Sequence, residues 1–183
     1  MRRLCLLAIA CIIATLISHP ALAGGYVMID GGYGGEHDSG SFGVEVGAIK
    51  KASENHRWLI GGEFSMIFID ENPPDYLDYA IPHGDYRTLD KDYYDGEEFE
   101  LCGKVGFEVI KKLFIIGGIG GSWNKKVTIN QSNVTGWYYI DKEETDANVT
   151  GMGELRYISD NGFAIGAGYH SRRGVVVGVG FAF

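Results

Sequence analysis

Residues 175–183 alternate with a strict period of two. Val175, Val177, Val179, Phe181 and Phe183 fall on one side, and Val176, Gly178, Gly180 and Ala182 on the other. Side chains point alternately to opposite faces of a strand, so one face is bulky and apolar and the other mostly small. A soluble sandwich carries polar residues on the face turned from its core. A strand with lipid outside and a narrow barrel interior inside needs bulky residues opposite small ones.

The same period recurs upstream. Trp58, Ile60, Gly62, Phe64, Met66 and Phe68 oppose Leu59, Gly61, Glu63, Ser65 and Ile67. Phe99, Leu101, Gly103, Val105, Phe107 and Val109 oppose Glu98, Glu100, Cys102, Lys104, Gly106 and Glu108. Charges at every second position opposite bulky apolar residues exclude a helix. Eight strands are expected at 25–34, 41–50, 57–69, 97–110, 113–123, 148–158, 162–170 and 174–183. Their connections alternate in length. Lys50–His56, Lys111-Lys112 and the Ser159-Asp160-Asn161-Gly162 turn are short, the last with an Asn-Gly signal. Asp70–Gly96 and Asn124–Ala147 are long and polar. Outer-membrane barrels show this asymmetry, with short periplasmic turns and long external loops.

The N-terminus is expected to be a processing segment. Arg2 and Arg3 precede an uncharged run from Leu4 to Ile17, then Pro20 and the small-residue site Ala21-Leu22-Ala23. This is the layout of a secretory signal, and the run is too short for a membrane-spanning helix. Residues 1–23 are therefore expected to be cleaved, leaving 24–183 as one barrel domain. No later apolar run is long enough for a spanning helix. Within lipid every backbone polar group needs an internal partner, which leaves a closed barrel. The expected fold is all-β: an eight-stranded antiparallel up-and-down transmembrane β-barrel, monomeric, in the bacterial outer membrane.

Removing the signal leaves 14 Lys and Arg against 24 Asp and Glu. Such an acidic chain is not a nucleic-acid binder. Cys102 is the single cysteine beyond the signal, so no internal disulfide forms.

Alternation places Asp30, Glu45, Glu63, Glu100, Lys104, Glu108, Glu154 and Arg156 inside. An eight-stranded barrel has room only for side chains, so these charges are expected to pair and plug the lumen. A narrow gated channel is the alternative. The acids of this set outnumber its two bases.

The external segments carry the second candidate set. Asp70–Glu98 holds ten acids against Arg87 and Lys91, with Tyr76, Tyr79, Tyr86, Tyr93 and Tyr94 interleaved. Tyrosine offers contact area at low entropic cost, so this surface is a candidate for partner recognition. Asp90–Gly96 is close to a calcium loop, with one acid a place late. Trp137, Tyr138 and Tyr139 are expected in a hairpin above the membrane. Arg172 and Arg173 are expected at an external hairpin tip, where guanidinium groups can meet lipopolysaccharide phosphates.

Val175–Phe183 resembles the terminal signal of outer-membrane β-barrels. Gly166–Gly174 and the strand after it resemble the last hairpin of small porin-like and outer-membrane-protein-X-like barrels. The resemblance implies that Val179, Phe181 and Phe183 are read by the barrel-assembly machinery. His170-Ser171 bears a fainter resemblance to the lipid A deacylases of the outer membrane. There the histidine and serine are separated by one residue and share a side; here they are adjacent and no asparagine follows. The expectation is a non-enzymatic barrel without cofactor or metal. It would serve envelope structure or surface interaction, with outer-membrane lipid, lipopolysaccharide and an extracellular surface partner as contacts. A channel and a lipid A-modifying enzyme are the alternatives.

Overall fold

The computed structural model describes residues 24–52, 56–69, 71 and 73–183. The expected signal, 1–23, and Asp70 lie outside the described residues, as do the side chains of Leu89 and Asp90. The described chain is all-β. Its strands are β1 Gly25–Gly34, β2 Ser39–Lys51, β3 Arg57–Ile67, β4 Arg87–Tyr94, β5 Glu98–Ile110, β6 Leu113–Ser132, β7 Tyr138–Ile158, β8 Phe163–His170 and β9 Gly174–Ala182.

All of these strands except β4 form an antiparallel cycle. β1 pairs with β9, β6 pairs with β7, and the order β6-β5-β3-β2-β1-β9-β8-β7 has no edge within the barrel. Closure satisfies the backbone polar groups that would otherwise face lipid. Register rows run round the wall: Tyr33 pairs with Val175 and Val175 with Tyr169 near the outer end. Val27, Phe181 and Phe163 form a row near the other end. Ile119, Leu155, Ile165, Val177 and Val179 are exposed between these levels. Leu113 to Trp123 covers about 33 Å of strand at about 3.3 Å per residue. Tilted by about 40°, that is about 25 Å of height, the apolar band of an outer-membrane barrel.

The lumen face is the reverse. Tyr26, Met28, Ile49, Leu59, Phe114, Ile116, Ile158 and Ala164 form an apolar cluster toward the end with the short turns. Polar and charged side chains fill the interior above it. Tyr26 lies across the β2–β3 wall because positions 47 and 61 are glycine. A Cβ on Gly61 would stand 2.0 Å from its hydroxyl.

The expected strands match the barrel, but β6 and β7 run well beyond it. Asn124–Ala147 is a continuation of the β6–β7 hairpin, paired from Asn124↔Asp146 to Gln131↔Tyr138 with one bulge. The expected loop Asp70–Gly96 contains β4, which pairs with the outer half of β6. Val127 and Ile129 are fully buried there. Their β-branched alternation with polar neighbours is a strand signal that the surrounding charges mask. The segment before β4 folds back on this sheet. Leu77 bridges Tyr139, Tyr76 donates to Asp95, and Ser132 donates to Asp85.

Candidate functional site

The chain is a closed eight-stranded β-barrel with an apolar outer wall, and its polar side chains gather in three places: the lumen, the external sheet and the rims.

In the lumen, β2, β5 and β7 bring Glu45, Lys104, Glu154 and Arg156 together. The Arg156 guanidinium donates to both Glu45 oxygens, at 3.0 and 2.7 Å, and to both Glu154 oxygens, at 2.6 and 2.9 Å. Lys104 Nζ donates to Glu45 at 2.8 Å and also pairs with Glu63. The Tyr26 hydroxyl donates to Glu45 at 2.5 Å, and its ring lies under the Arg156 guanidinium at 5.2 Å. Bidentate, charge-assisted geometry is what makes buried ions tolerable. Glu108 sits at the short-turn end, where Arg57 holds it through two bonds of 2.8 and 2.7 Å.

Arg172 and Arg173 require a correction. They are 4% and 1% exposed and point into the lumen. Arg173 bonds Asp30, Glu63 and the Ser41 hydroxyl. Arg172 chelates Glu98 at 2.9 and 2.5 Å and also pairs with Glu36. The physical reason is charge: the inward acids lacked cations, and this turn supplies them. Its fold-back depends on Gly174, at φ 70°, where a Cβ would meet Tyr33 O at 2.4 Å and Gly35 N at 2.6 Å. The β1–β2 and β8–β9 turns thus interlock over the outer mouth. Glu98, which the sequence groups with the external acids, faces inward as Arg172's partner.

Glu100 accepts from Ser65 at 3.2 Å, Thr150 at 2.6 Å and His170 at 2.8 Å. Glu100, Cys102 and His170 place their ligand atoms within 4.8 Å of one another. The tautomer argues against a metal. His170 Nδ1 accepts the backbone N–H of Arg172 and Arg173, at 3.2 and 3.3 Å. Nε2 therefore carries the proton that it gives to Glu100, and neither nitrogen has a lone pair to spare. Ser171 is exposed, and its hydroxyl accepts the Gly151 N–H at 3.1 Å. His170 and Ser171 thus sit on opposite sides of the wall, and the histidine does not act as base for the hydroxyl.

A cavity of about 10 Å³ lies in the lumen between Asp30, Glu45, Glu154 and Arg156. That holds at most a single water.

The external sheet is β4-β6-β7. The segment Asp90–Gly96 runs extended up to Tyr94 as the second half of β4. Asp92 is held by Lys126 at 2.8 Å and by the Thr128 hydroxyl at 2.7 Å, and Asp95 by Lys125 at 3.3 Å. Hydrogen bonds from Lys126 and Thr128 keep the Asp92 carboxyl below its ordinary range. Of the tyrosines, Tyr79 and Tyr86 are exposed, joined by Trp137 and Val134 at the hairpin tip. Tyr76, Tyr93 and Tyr94 are half-buried. Tyr93 lies under Lys91 at 4.7 Å, and Tyr94 meets the His37 ring edge-on at 5.0 Å. On β9 Val179 and Phe181 face outward, and Phe183, just past its end, is exposed as well.

Sequence reasoning missed Tyr26, Arg57, His37 and His170 as lumen or rim partners. Parity alone marks Tyr26 and His170, since they share faces with Asp30 and with Gly166 and Gly168.

No family model matches the chain, and no curated protein matches it. Among solved structures it is similar to Ail, the attachment invasion locus protein of Yersinia pestis, at 14% identity and a TM-score of 0.49, covering 87% of this chain and 95% of that one. It is also similar to Ail in complex with the heparin analogue sucrose octasulfate, at 12% identity and a TM-score of 0.44, with the same coverage.

Proposed function

We propose that this protein is a non-enzymatic, plugged barrel that works from its outer side, presenting an acidic, aromatic-tipped sheet to an extracellular surface partner. The observation that carries this reading is the β4-β6-β7 sheet itself. Nine residues of β6, Asn124 to Ser132, stand beyond Trp123, about 30 Å of strand. Segments 70–97 and 124–147 hold thirteen acids against five bases, most of the excess charge beyond the signal. An exposed Trp137, with Tyr79, Tyr86 and Val134, is the kind of aromatic anchor that dominates interfaces. The acidic field around it favours a cationic partner.

The filled lumen argues against transport as the main role. The outward parity of Val179, Phe181 and Phe183 suits reading by the assembly machinery before the strand closes on β1. Lipopolysaccharide would surround the base of the sheet. Residues 1–23 act in this reading as a cleaved signal, and amino-terminal sequencing of the exported protein is expected to start at Gly24.

The sheet is tested by replacing residues 127–143 with Asn-Gly. This joins the register partners Lys126 and Glu144 through a tight turn and leaves the barrel strands intact. Heat-modifiable gel mobility is expected to persist, while adhesion of expressing cells to host-cell or matrix surfaces falls to the level of the empty vector. Adhesion equal to wild type would refute the role of the sheet.

A further inference from the structure

Charge is divided unevenly along the barrel axis. Against the acidic outer segments, the periplasmic connections and strand ends carry Lys50, Lys51, Arg57, Lys111 and Lys112, with Glu108 and Asp160 as the acids that line the same recess. Arg57 is taken by Glu108, and Lys112 by Asp160 at 2.5 Å. Lys50, Lys51 and Lys111 are exposed, and no acid among the described residues pairs with them.

Their placement is specific. Lys50 has the lipid-facing parity of β2, and its register partner is Trp58. Trp58 packs on Phe107 at 5.0 Å, and Phe107 stacks on His56 at 5.3 Å. Lys111, in the β5–β6 turn, follows the exposed Val109 and Ile110. Lys50 and Lys111 therefore flank an aromatic pair at the edge of the apolar band. Lys51 has the lumen parity and, with His56, Arg57, Lys111 and Lys112, lines a recess of about 670 Å³ at the mouth.

We propose that this rim binds the phosphate groups of anionic phospholipid, Lys50, Lys51 and Lys111 holding the headgroup while an acyl chain lies against Trp58 and Phe107. The two halves of the surface set the occupant. The cations call for an anion, and the aromatic pair beside them calls for a hydrocarbon tail attached to it. A lysine with its apolar stem on an interfacial tryptophan and its ammonium among headgroups satisfies both. The orientation rests on the reading that the short turns face the periplasm, where the inner leaflet supplies phospholipid.

The test uses the folded chain in phosphatidylcholine vesicles containing a minor fraction of phosphatidylglycerol, with co-purified lipid counted by native mass spectrometry. Each lysine near an anionic surface is worth about fivefold in binding. Wild type is expected to retain phosphatidylglycerol over phosphatidylcholine by about tenfold or more. Lys50→Gln/Lys51→Gln/Lys111→Gln is expected to lose that preference, and the corresponding triple arginine variant to keep it. All three lysines are exposed, so heat-modifiable mobility stays as in wild type. Excess inorganic phosphate is expected not to displace the lipid; displacement would mark a free-anion site and overturn the proposal. So would a glutamine variant that retains phosphatidylglycerol as wild type does, or a wild type that does not discriminate. The readout is independent of the external sheet, so its failure is distinct from failure of the adhesion reading.

Discussion

Arg173 shows how one side chain decides the electrostatics of the interior. It pairs with both Asp30 and Glu63, the second shared with Lys104, and it comes from a turn, not from the wall. Removing one partner of a buried ion pair leaves an uncompensated charge, at a cost of about 3–5 kcal/mol. Arg173→Met is therefore expected to lower the unfolding free energy of the detergent-folded barrel, read from urea titration, by an amount of that order, whereas Arg87→Met, on the exposed Arg87–Asp141 pair, changes it little. Equal effects would show that Arg173 is not buried among these acids. Which wall residues turn inward was legible in the sequence, because parity alone places Asp30, Glu45, Glu63, Glu100, Lys104, Glu154 and Arg156. The position of Arg172 and Arg173 was not, because alternation ends with the strand and a turn can fold either way. The one available sign was the shortage of bases in the inward set.

At the scale of elements, the barrel strands were readable to within a few residues and the external sheet was not. Lipid on one side and a crowded lumen on the other enforce alternation within the membrane. Beyond Trp123 both faces of β6 meet protein or water, so Lys125, Lys126 and Thr128 look like a loop although they are paired. β4 is bound to β6 partly through the Asp92–Lys126 and Asp92–Thr128 contacts. Because these hold the Asp92 carboxyl below its ordinary value of 3.8, their contribution is present above that pH and is lost as pH falls through the lower folded value. Amide exchange protection of residues 88–94, corrected for the intrinsic rate, is expected to drop below about pH 3.8. In Asp92→Asn it should be weaker at neutral pH and no longer change across that range. An unchanged acid response in the variant would assign the loosening to other groups.

At the scale of the whole molecule, closure and filling go together. Eight strands close the wall, and the enclosed space is narrow enough for Tyr26, Leu59 and Phe114 to seal one end. Ion pairs occupy the middle, and two interlocked turns cover the outer mouth. The cavity among Asp30, Glu45, Glu154 and Arg156, about 10 Å³, has no room for a file of waters. The proposed function accordingly lies at the surfaces: an acidic sheet outside and a cationic rim at the opposite end. Planar-bilayer recording on the refolded protein tests this division most directly. Wild type is expected to insert without stepwise conductance at any applied voltage that the bilayer withstands. Reproducible unitary steps in wild type, changed in size by Lys104→Ala or Arg156→Ala, would show that the lumen conducts and contradict the plugged barrel.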